Sequence, residues 1–246
     1  SKQRGFSQVT KSLVSDIPGI SSLKRSNSVS DLDYIFGELK QSIMMGGFLP
    51  GQKLKLADLA DAFGTSHMPV REALNRLVMV KALETAPRRS PSIPNPNPKQ
   101  LKDILSLRID LECKAGCMAL DNDDGTLAKG LRKLNAKMDA EAANRVPNIR
   151  RYLELNQKFH FEIYSYSNND VLYDLIELLW MRYGPLLNLL SSDGVLSFSH
   201  LPHPWHKKII EAIENQDKTA LTRSISNDLN AARTLIEQKI QGGRSE

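Results

Sequence analysis

The stretch GTSHMPVREALNRL, residues 64–77, decides how this sequence is interpreted. Its apolar residues recur at helical spacing and predict an amphipathic helix with one inward face. These residues are Val70, Ala73, Leu74 and Leu77. The opening turn is unusually polar: Ser66 or Thr65 is a good N-cap, and Pro69 is tolerated because its missing N–H would have no helical partner there. A helix that only packs into a core has no use for such a turn.

Two shorter helical patterns precede this stretch. One covers residues 31–43 and ends at two glycines, and the second is LADLADAF, closed by Gly64. After Lys81, two short extended pieces around a turn fit a small β-wing. Helix, glycine turn, helix and wing form a winged helix-turn-helix, which we predict over residues 31–90. In such a unit the second helix of the pair enters the major groove, with its N-terminal residues at the base edges.

The polar residues of the predicted groove helix are candidates for DNA contacts. His67, Met68, Arg71 and Asn75 face away from the apolar stripe. Arg71 is the strongest of them, because its planar guanidinium fits guanine O6/N7 and phosphate oxygens alike. The helix N-terminus at Ser66 also suits a phosphate. The alternative is a solvated polar face, and for Asn75 the two interpretations are evenly balanced.

The surplus positive charge of the chain lies in its first 92 residues, which include the predicted winged helix-turn-helix. Residues 1–30 hold five Lys or Arg against one Asp, residues 31–92 hold eight against seven acids, and the remaining 154 hold 20 of each sign. This distribution favours an anionic partner, and the alternative is a basic tail with no partner. Residues 1–30 are serine-rich and weakly periodic, so we expect a flexible arm.

The stretch PSIPNPNPKQ, residues 91–100, separates two regions. Its four prolines prevent a continuous helix and predict a semi-rigid linker over residues 91–98. Residues 99–241 show six helical patterns with mostly short connections, which favours an antiparallel bundle. The predicted fold class is mainly α: a winged helix-turn-helix followed by an all-α bundle.

A second group of polar residues lies in the predicted bundle. Asn156 and His160 are four residues apart on one helix face, His206 begins a later helix, and Asp228 lies in the last. Projecting inward from three helices, they would surround a small cavity of the kind in which bundles hold metals. Histidines with an oxygen ligand suit Zn²⁺ or Ni²⁺. The alternative is a set of hydrogen-bonded polar residues without an ion.

The N-terminal region resembles the DNA-binding domain of the GntR family of bacterial transcription regulators. The matching stretches, over residues 31–90, are FLPGQKL, LADLADAFG, SHMPVREALNRL and ALE. The resemblance implies that Lys55, Arg88 and Arg89 lie near the DNA backbone and minor groove. Two positions depart from the family: His67 replaces a usual Arg, and Ser90 replaces a usual wing Gly. A contact made by that Arg is therefore expected to be weaker or missing.

Residues 100–241 resemble the FCD-type effector domain of the FadR-like branch of that family. The matching stretches are LRIDLECKAGCMAL, NQKFHFEIYSYSNNDVL and HKKIIEAIENQDKTALTRSISNDL. In that branch an Asp, a His four residues later and two further His bind a divalent metal. These positions fall on Asn156, His160, His206 and Asp228, so two match and two differ. One carboxylate is lost and one gained, which implies a metal bound more weakly or with altered selectivity.

Arg108 corresponds to an Arg that pairs with an acidic effector in many relatives. A buried Arg needs a counter-charge, and Glu112, one turn on, is the other candidate, as an i,i+4 pair that only braces the helix. Both roles are open. A metal beside an Arg implies a small carboxylate effector, such as a sugar, hydroxy or aromatic acid. The aromatic residues that would shape its walls, unless they are core, are Tyr164, Trp180, Tyr183 and Trp205.

These features favour a ligand-responsive transcription regulator, with repression as the default. It would bind a two-fold-symmetric duplex site as a homodimer, because one winged unit covers little DNA. Effector binding would reposition the DNA-binding units through residues 91–98. The alternatives are a metal-dependent hydrolase, although neither a glycine-rich phosphate loop nor HExxH occurs, and an architectural DNA binder with a purely dimerising bundle. We predict that the protein is not an enzyme.

Membrane insertion and secretion are not expected. Charged residues and a proline interrupt the apolar run at residues 172–190, and the first ten residues contain no apolar core typical of a signal peptide. Cys113 and Cys117, the only cysteines, lie four apart in a helical pattern, which fits a reducing compartment. We expect a cytoplasmic location.

Overall fold

The computed structural model describes residues 30–191 and 203–242, which form nine α-helices. Three helices make a small N-terminal unit, called the head below, and six make a bundle. In chain order they are α1 (Asp31–Met44), α2 (Leu56–Phe63), α3 (His67–Met79), α4 (Pro98–Asn122), α5 (Leu127–Ala142), α6 (Ile149–Ser165), α7 (Asp170–Ser191), α8 (His203–Glu214) and α9 (Lys218–Gly242). The arm expected over residues 1–30 lies outside the described residues except for Ser30.

The head is built around the apolar face of α3. Val70, Ala73, Leu74 and Leu77 are all at most 3% exposed, and α3 packs against both α1 and α2. Gly64 ends α2 in the left-handed region at φ 62°, which a residue with a side chain rarely adopts. The amphipathic spacing of the sequence therefore places α3 with its polar side outward, as predicted.

The wing consists of paired single residues without regular strands in the described part of the chain. Glu84 and Ser92 exchange two backbone hydrogen bonds of 2.8 Å each, and the Leu54 N–H donates to the Pro91 carbonyl at 2.8 Å. Pro91 has no N–H, so the ladder does not extend through it. Ile93, which is buried, donates to the Gln52 carbonyl at 2.9 Å.

The connection between wing and bundle is short. Asn97 and Gln100 form a capping box, each side chain accepting from the other's backbone N–H at 2.9 Å, and Pro98 begins α4. Because residues 91–93 pair with the wing region, the irregular part of the predicted linker is residues 94–97.

Six helices build the bundle, and α4 packs against both α7 and α9. Neighbouring pairs are α5 with α6 and α8 with α9, joined by the short connections 143–148 and 215–217. A mainly α fold with a head and a helical bundle confirms the predicted fold class. Among the described helices, none combines the length and apolar character needed to cross a membrane.

The head also contacts the bundle directly, through α1 on α7. Lys40 Nζ lies 2.8 Å from Glu177 Oε1, and Asn188 Nδ2 donates to the Gly46 carbonyl at 2.7 Å. The two parts are therefore held by side-chain contacts as well as by residues 94–97.

Candidate functional site

The outward side of the head presents every residue proposed to contact DNA. All of them are exposed, and Met68 reaches 64%. They are Lys55, Ser66, His67, Met68, Arg71, Asn75, Arg88 and Arg89. A polar, partly basic surface of this kind is free to meet a duplex.

The first turn of α3 is suited to an anion. Ser66 occupies the N-cap position with extended backbone (φ −73°, ψ 165°), and its side chain makes no capping hydrogen bond. The N–H groups at the start of a helix have no helical partners, and the helix dipole favours negative charge there. A phosphate oxygen is a natural acceptor for these groups.

Two contacts hold α3 relative to α1. Arg76 Nη1 lies 3.2 Å from Asp33 Oδ1, and the Thr65 hydroxyl donates to Asp31 at 3.5 Å. At the wing tip Arg88 has a left-handed φ of 59°, and the Arg89 N–H closes the turn on the Ala86 carbonyl at 3.1 Å. Arg76 is thus paired within the head although its side chain is half exposed, whereas both wing arginines are exposed to solvent.

A second group of functional candidates lies inside the bundle, on α6, α8 and α9. His160, His206 and Asp228 are all buried, and one ligand atom from each lies within 4.8 Å of the others. Asp228 Oδ2 is 3.2 Å from His160 Nε2, and Asp228 Oδ1 is 3.6 Å from His206 Nε2. Two imidazoles and a carboxylate at these separations are a donor set that Zn²⁺ or Ni²⁺ accepts.

The charge of Asp228 is stabilised by its neighbours. Burial raises its pKa, but the attraction of His206, a hydrogen bond from His160 and the more distant Arg108 together hold the pKa below its ordinary value. The carboxylate is therefore ionised at neutral pH, as a metal ligand must be.

Asn156 lies on the wall of the adjoining cavity, one turn before His160, and is half-buried. The structure thus brings three of the four proposed metal ligands into one cluster and places Asn156 beside it. Its amide oxygen is neutral and is a weaker ligand for a divalent ion than a carboxylate.

Arg108 is buried and paired with Glu112. Its Nε lies 2.6 Å from Glu112 Oε1, with both side chains at most 3% exposed. The guanidinium is also held between the rings of Trp180 and Tyr183, at 4.5 and 4.6 Å from their centroids. Desolvation acts to lower the pKa of Arg108, but the Glu112 carboxylate, together with Tyr183 and Tyr164, outweighs it and raises the pKa. Of the two roles considered for Arg108, the brace within α4 is present in this structure.

Glu112 is the centre of a larger network. Its Oε1 also accepts from Trp180 Nε1 at 3.0 Å, and its Oε2 accepts from the Tyr164 hydroxyl. Burial and the Glu112 carboxylate raise the pKa of Tyr164 well above its ordinary value, which keeps this hydroxyl a donor. The network joins α4, α6 and α7, and Trp180 connects it to the wall of the cavity.

The cavity itself has a volume of about 40 Å³. Arg108, Asn156, His160 and Asp228 are its charged and amide or imidazole lining residues, and aromatic and aliphatic side chains contribute the rest. Since a water molecule needs about 10–15 Å³ of such volume, the space suits an ion with one or two waters. Within the described residues, the buried Tyr183 hydroxyl on its wall has no hydrogen-bond partner, and neither has Asp228 Oδ1.

Two of the four aromatic residues considered for the walls do line the cavity, namely Trp180 and Tyr183. Tyr164 instead donates a hydrogen bond from its hydroxyl to Glu112. Trp205 is half-buried, and the Lys208 ammonium lies 4.5 Å from the centroid of its ring. The part of the wall that α7 contributes is therefore largely aromatic, while α6 and α9 contribute most of the other lining residues.

One wall residue that we did not identify from the sequence is Tyr152. It lines the cavity on α6, eight residues before His160 and four before Asn156. The signal for it was available, because residues four apart lie on one helix face. The apolar wall residues Leu187, Leu229 and Leu235 carry no comparable signal.

Comparison with known proteins identifies both parts of the chain. Residues 33–93 match the model of the bacterial regulatory proteins of the gntR family, and residues 103–231 match the FCD domain. The transcriptional regulator McbR of Escherichia coli is 33% identical over 71% of this chain and 76% of its own. YdhC of Bacillus subtilis, an uncharacterized HTH-type transcriptional regulator, is 27% identical over 77% of this chain and 84% of its own.

Solved structures agree with this assignment. The structure of E. coli McbR/YncC superimposes with a TM-score of 0.79 at 28% identity, covering 86% of this chain and 99% of that one. A putative GntR regulator from Rhodococcus shares the fold, with a TM-score of 0.66 at 20% identity over 85% of this chain and 99% of its own. Relatives and structures alike are transcriptional regulators, which confirms the predicted family. The chain belongs to the GntR family and, with its FCD domain, is a ligand-responsive, DNA-binding transcription regulator.

Proposed function

We propose that this regulator is a repressor whose operator binding is controlled by a small carboxylate bound at a divalent metal in the bundle. The observation that carries the proposal is the cluster of His160, His206 and Asp228. Three protein ligands leave a position of a tetrahedral ion open, and an effector carboxylate would take it. The repressor GlaR of E. coli, 23% identical over 83% of this chain and 94% of its own, supports the choice of repression.

The polar atoms around the cluster favour this class of effector. Arg108 supplies positive charge on the cavity wall, and the buried Tyr183 hydroxyl on the same wall is a donor without a partner among the described residues. Both residues line the cavity together with Asp228. A bound ion would supply the electrostatic attraction, while these two groups would orient the acid.

Changing His160 to alanine is expected to remove the metal. Purified wild-type protein should carry about one Zn²⁺ or Ni²⁺ per chain after loading and dialysis, and His160→Ala much less than half of that, because two protein ligands rarely hold such an ion. Elemental analysis measures both. The control is His67→Ala, since His67 is exposed on the head and its loss should leave the metal content unchanged. Equal metal in His160→Ala and the wild type would contradict the site.

A thermal-shift screen distinguishes the proposal from its alternatives. Small carboxylates should raise the melting temperature of the loaded protein and lose that effect in EDTA, since a ligand stabilises the state that it binds. No response to any acid or to the chelator would favour a bundle that only dimerises. Turnover of a stabilising acid would favour a metal-dependent hydrolase.

We also propose that the protein is a homodimer formed through α4 and α7. Large apolar side chains on these two adjacent helices are exposed, by 51% at Leu107, 72% at Val171 and 45% at Leu175. Several large apolar side chains exposed on neighbouring helices favour an interaction surface there. A two-fold dimer would bury the same surface of each copy against the other and pair two heads for a symmetric operator.

Leu175→Glu is expected to convert the dimer into a monomer in light scattering. The substitution places a charge at the centre of the proposed interface, where burying it unpaired is costly. Val146→Glu is the matched control, because Val146 is 84% exposed in the connection before α6. A dimer that survives Leu175→Glu, with Val146→Glu also dimeric, would place the interface elsewhere.

A further inference from the structure

We propose that α7 transmits occupancy of the cavity to the DNA-binding head, through a backbone contact between Gly184 and the end of α1. The sequence suggests coupling through residues 91–98, whereas the structure has a second and more direct connection between the two parts. The proposal rests on the proposed function in one respect, namely that a ligand enters the cavity.

The first observation is that α7 lines the cavity with one face and contacts the head with the neighbouring face. Trp180, Tyr183 and Leu187 line the cavity, spaced as three successive positions on one side of the helix. The neighbouring side, through Glu177, Gly184 and Asn188, contacts the head. A displacement of this helix by a ligand is therefore also a displacement at the head.

The second observation is how closely the two backbones approach. A Cβ built on Gly184 would lie 2.5 Å from the carbonyl oxygens of Ile43 and Met44, and one built on Gly46 would lie 2.9 Å from the Gly184 oxygen. Gly46 also has a left-handed φ of 70°. Only glycine fits at either position. Such a contact leaves no flexible side chain between the helices to absorb a shift.

Polar contacts on both sides also fix the place where the end of α1 meets Gly184 of α7, called the crossing below. The Lys40–Glu177 ion pair and the hydrogen bond from Asn188 to the Gly46 carbonyl hold α1 on α7. On α6, Gln157 hydrogen bonds with Gln41, and the residue before it is the cavity residue Asn156. Two helices that form cavity walls thus hold α1 at the same place.

The third observation is the size of the cavity. Its 40 Å³ has room for an ion with one or two waters, at about 10–15 Å³ for each water, so an organic acid of several carbons requires a wall to move. Pro185 lies inside α7 between the wall residues Tyr183 and Leu187. Because it has no N–H, it removes one helical hydrogen bond next to Gly184 and weakens α7 there.

The test uses one variant for each end of the connection. Gly184→Ala separates α1 from α7 without adding to the cavity wall, and Gly37→Ala on α1 is the matched control, because a Cβ there meets nothing within 4 Å. Leu229→Trp introduces a ring into the cavity, where Leu229 is 4% exposed on α9, and acts as a wedge that needs no ligand. Circular dichroism verifies that each variant is folded.

Two quantities are measured in the full chain. One is hydrogen exchange at the Gly46 and Gly47 amides, which donate to the Ile43 and Ser42 carbonyls. The other is Kd for a duplex that the wild type has selected from a random pool. Gly184→Ala and Leu229→Trp should each speed the exchange by about tenfold and shift Kd by about fivefold or more, as expected when a local contact opens.

In the double variant Gly184→Ala/Leu229→Trp, the wedge should add less than about a factor of two, because coupled changes are not additive. Gly37→Ala should behave as the wild type. Unchanged exchange and Kd in Gly184→Ala would overturn the proposal, as would a full effect of Leu229→Trp in the double variant. If Leu229→Trp does not fold, Zn²⁺ added to the wild type and to Gly184→Ala takes its place, and an equal exchange response in both overturns it.

The outcomes for the two proposals are distinguishable. Failure of the wild type to take up Zn²⁺ would remove the metal from the proposed function, while the Gly184→Ala and Leu229→Trp results, which need no metal, would still decide the role of the crossing. Conversely, normal Zn²⁺ uptake with no response at Gly46 would retain the metal site and reject the crossing as its output.

Discussion

Glu112→Ala is expected to lower the free energy of unfolding by about 3–5 kcal/mol, the usual cost of removing one partner of a buried ion pair. Arg108 is 2% exposed, and its Nε lies 2.6 Å from Glu112 Oε1. Without that carboxylate the guanidinium would remain in the interior with two aromatic rings as neighbours, and a ring offers far less stabilisation than an opposite charge. The hydroxyl of Tyr164 and the indole N–H of Trp180 would lose their acceptor as well.

Chemical denaturation monitored by circular dichroism measures this effect. Glu112→Gln separates its two causes, because the amide oxygen still accepts a hydrogen bond while the negative charge is gone; its loss should fall between those of the wild type and Glu112→Ala. Glu154→Ala is the control, since Glu154 pairs with Lys158 one turn away at 2.6 Å but at a partly exposed position. That variant should lose at most about 1 kcal/mol. A Glu112→Ala midpoint equal to that of Glu154→Ala would show that the buried pair contributes no more than a surface pair.

The contrast between Glu112 and the groove helix shows what the sequence alone could establish. The start and inward stripe of α3 follow from local signals, namely an N-cap, a proline in the first turn and apolar residues at helical spacing. The i,i+4 partnership of Arg108 with Glu112 was also foreseeable as an alternative. The contacts of Glu112 with Tyr164 and Trp180 could not be foreseen, because those residues lie on other helices, 52 and 68 positions away in the sequence. Only the packed fold brings them together.

The same limit applies to the cavity and to the head–bundle contact. Spacing placed Asn156 and His160 on one face of α6. His206 and Asp228 were singled out on later predicted helices, and the resemblance to the FCD domain supported the set. The closeness of the three ligand atoms depends on how α6, α8 and α9 pack. Gly46 was interpreted as the end of a helix, which is correct for local structure, but its contact with Gly184 joins positions far apart in the chain and has no local signal.

Arg71→Ala is expected to weaken binding to a selected duplex by about 1–3 kcal/mol if the side chain contacts a base, which is about 5- to 150-fold in Kd. Arg71 is exposed near the start of α3, opposite the buried stripe of Val70 and Leu74. A planar guanidinium there suits the O6 and N7 atoms of guanine. Fluorescence anisotropy at fixed salt measures the loss against both the selected duplex and a scrambled one.

Arg76→Ala is the matched control, because Arg76 lies on the same helix but pairs with Asp33 of α1 at 3.2 Å. It should retain near wild-type affinity. The salt dependence then separates the two possible roles of Arg71: loss of a phosphate contact weakens both duplexes alike and reduces the salt slope by about one, whereas loss of a base contact acts mainly on the selected duplex. If Arg71→Ala binds both duplexes as the wild type does, α3 does not present this face to the groove, and the DNA-contact set assigned to the head is wrong.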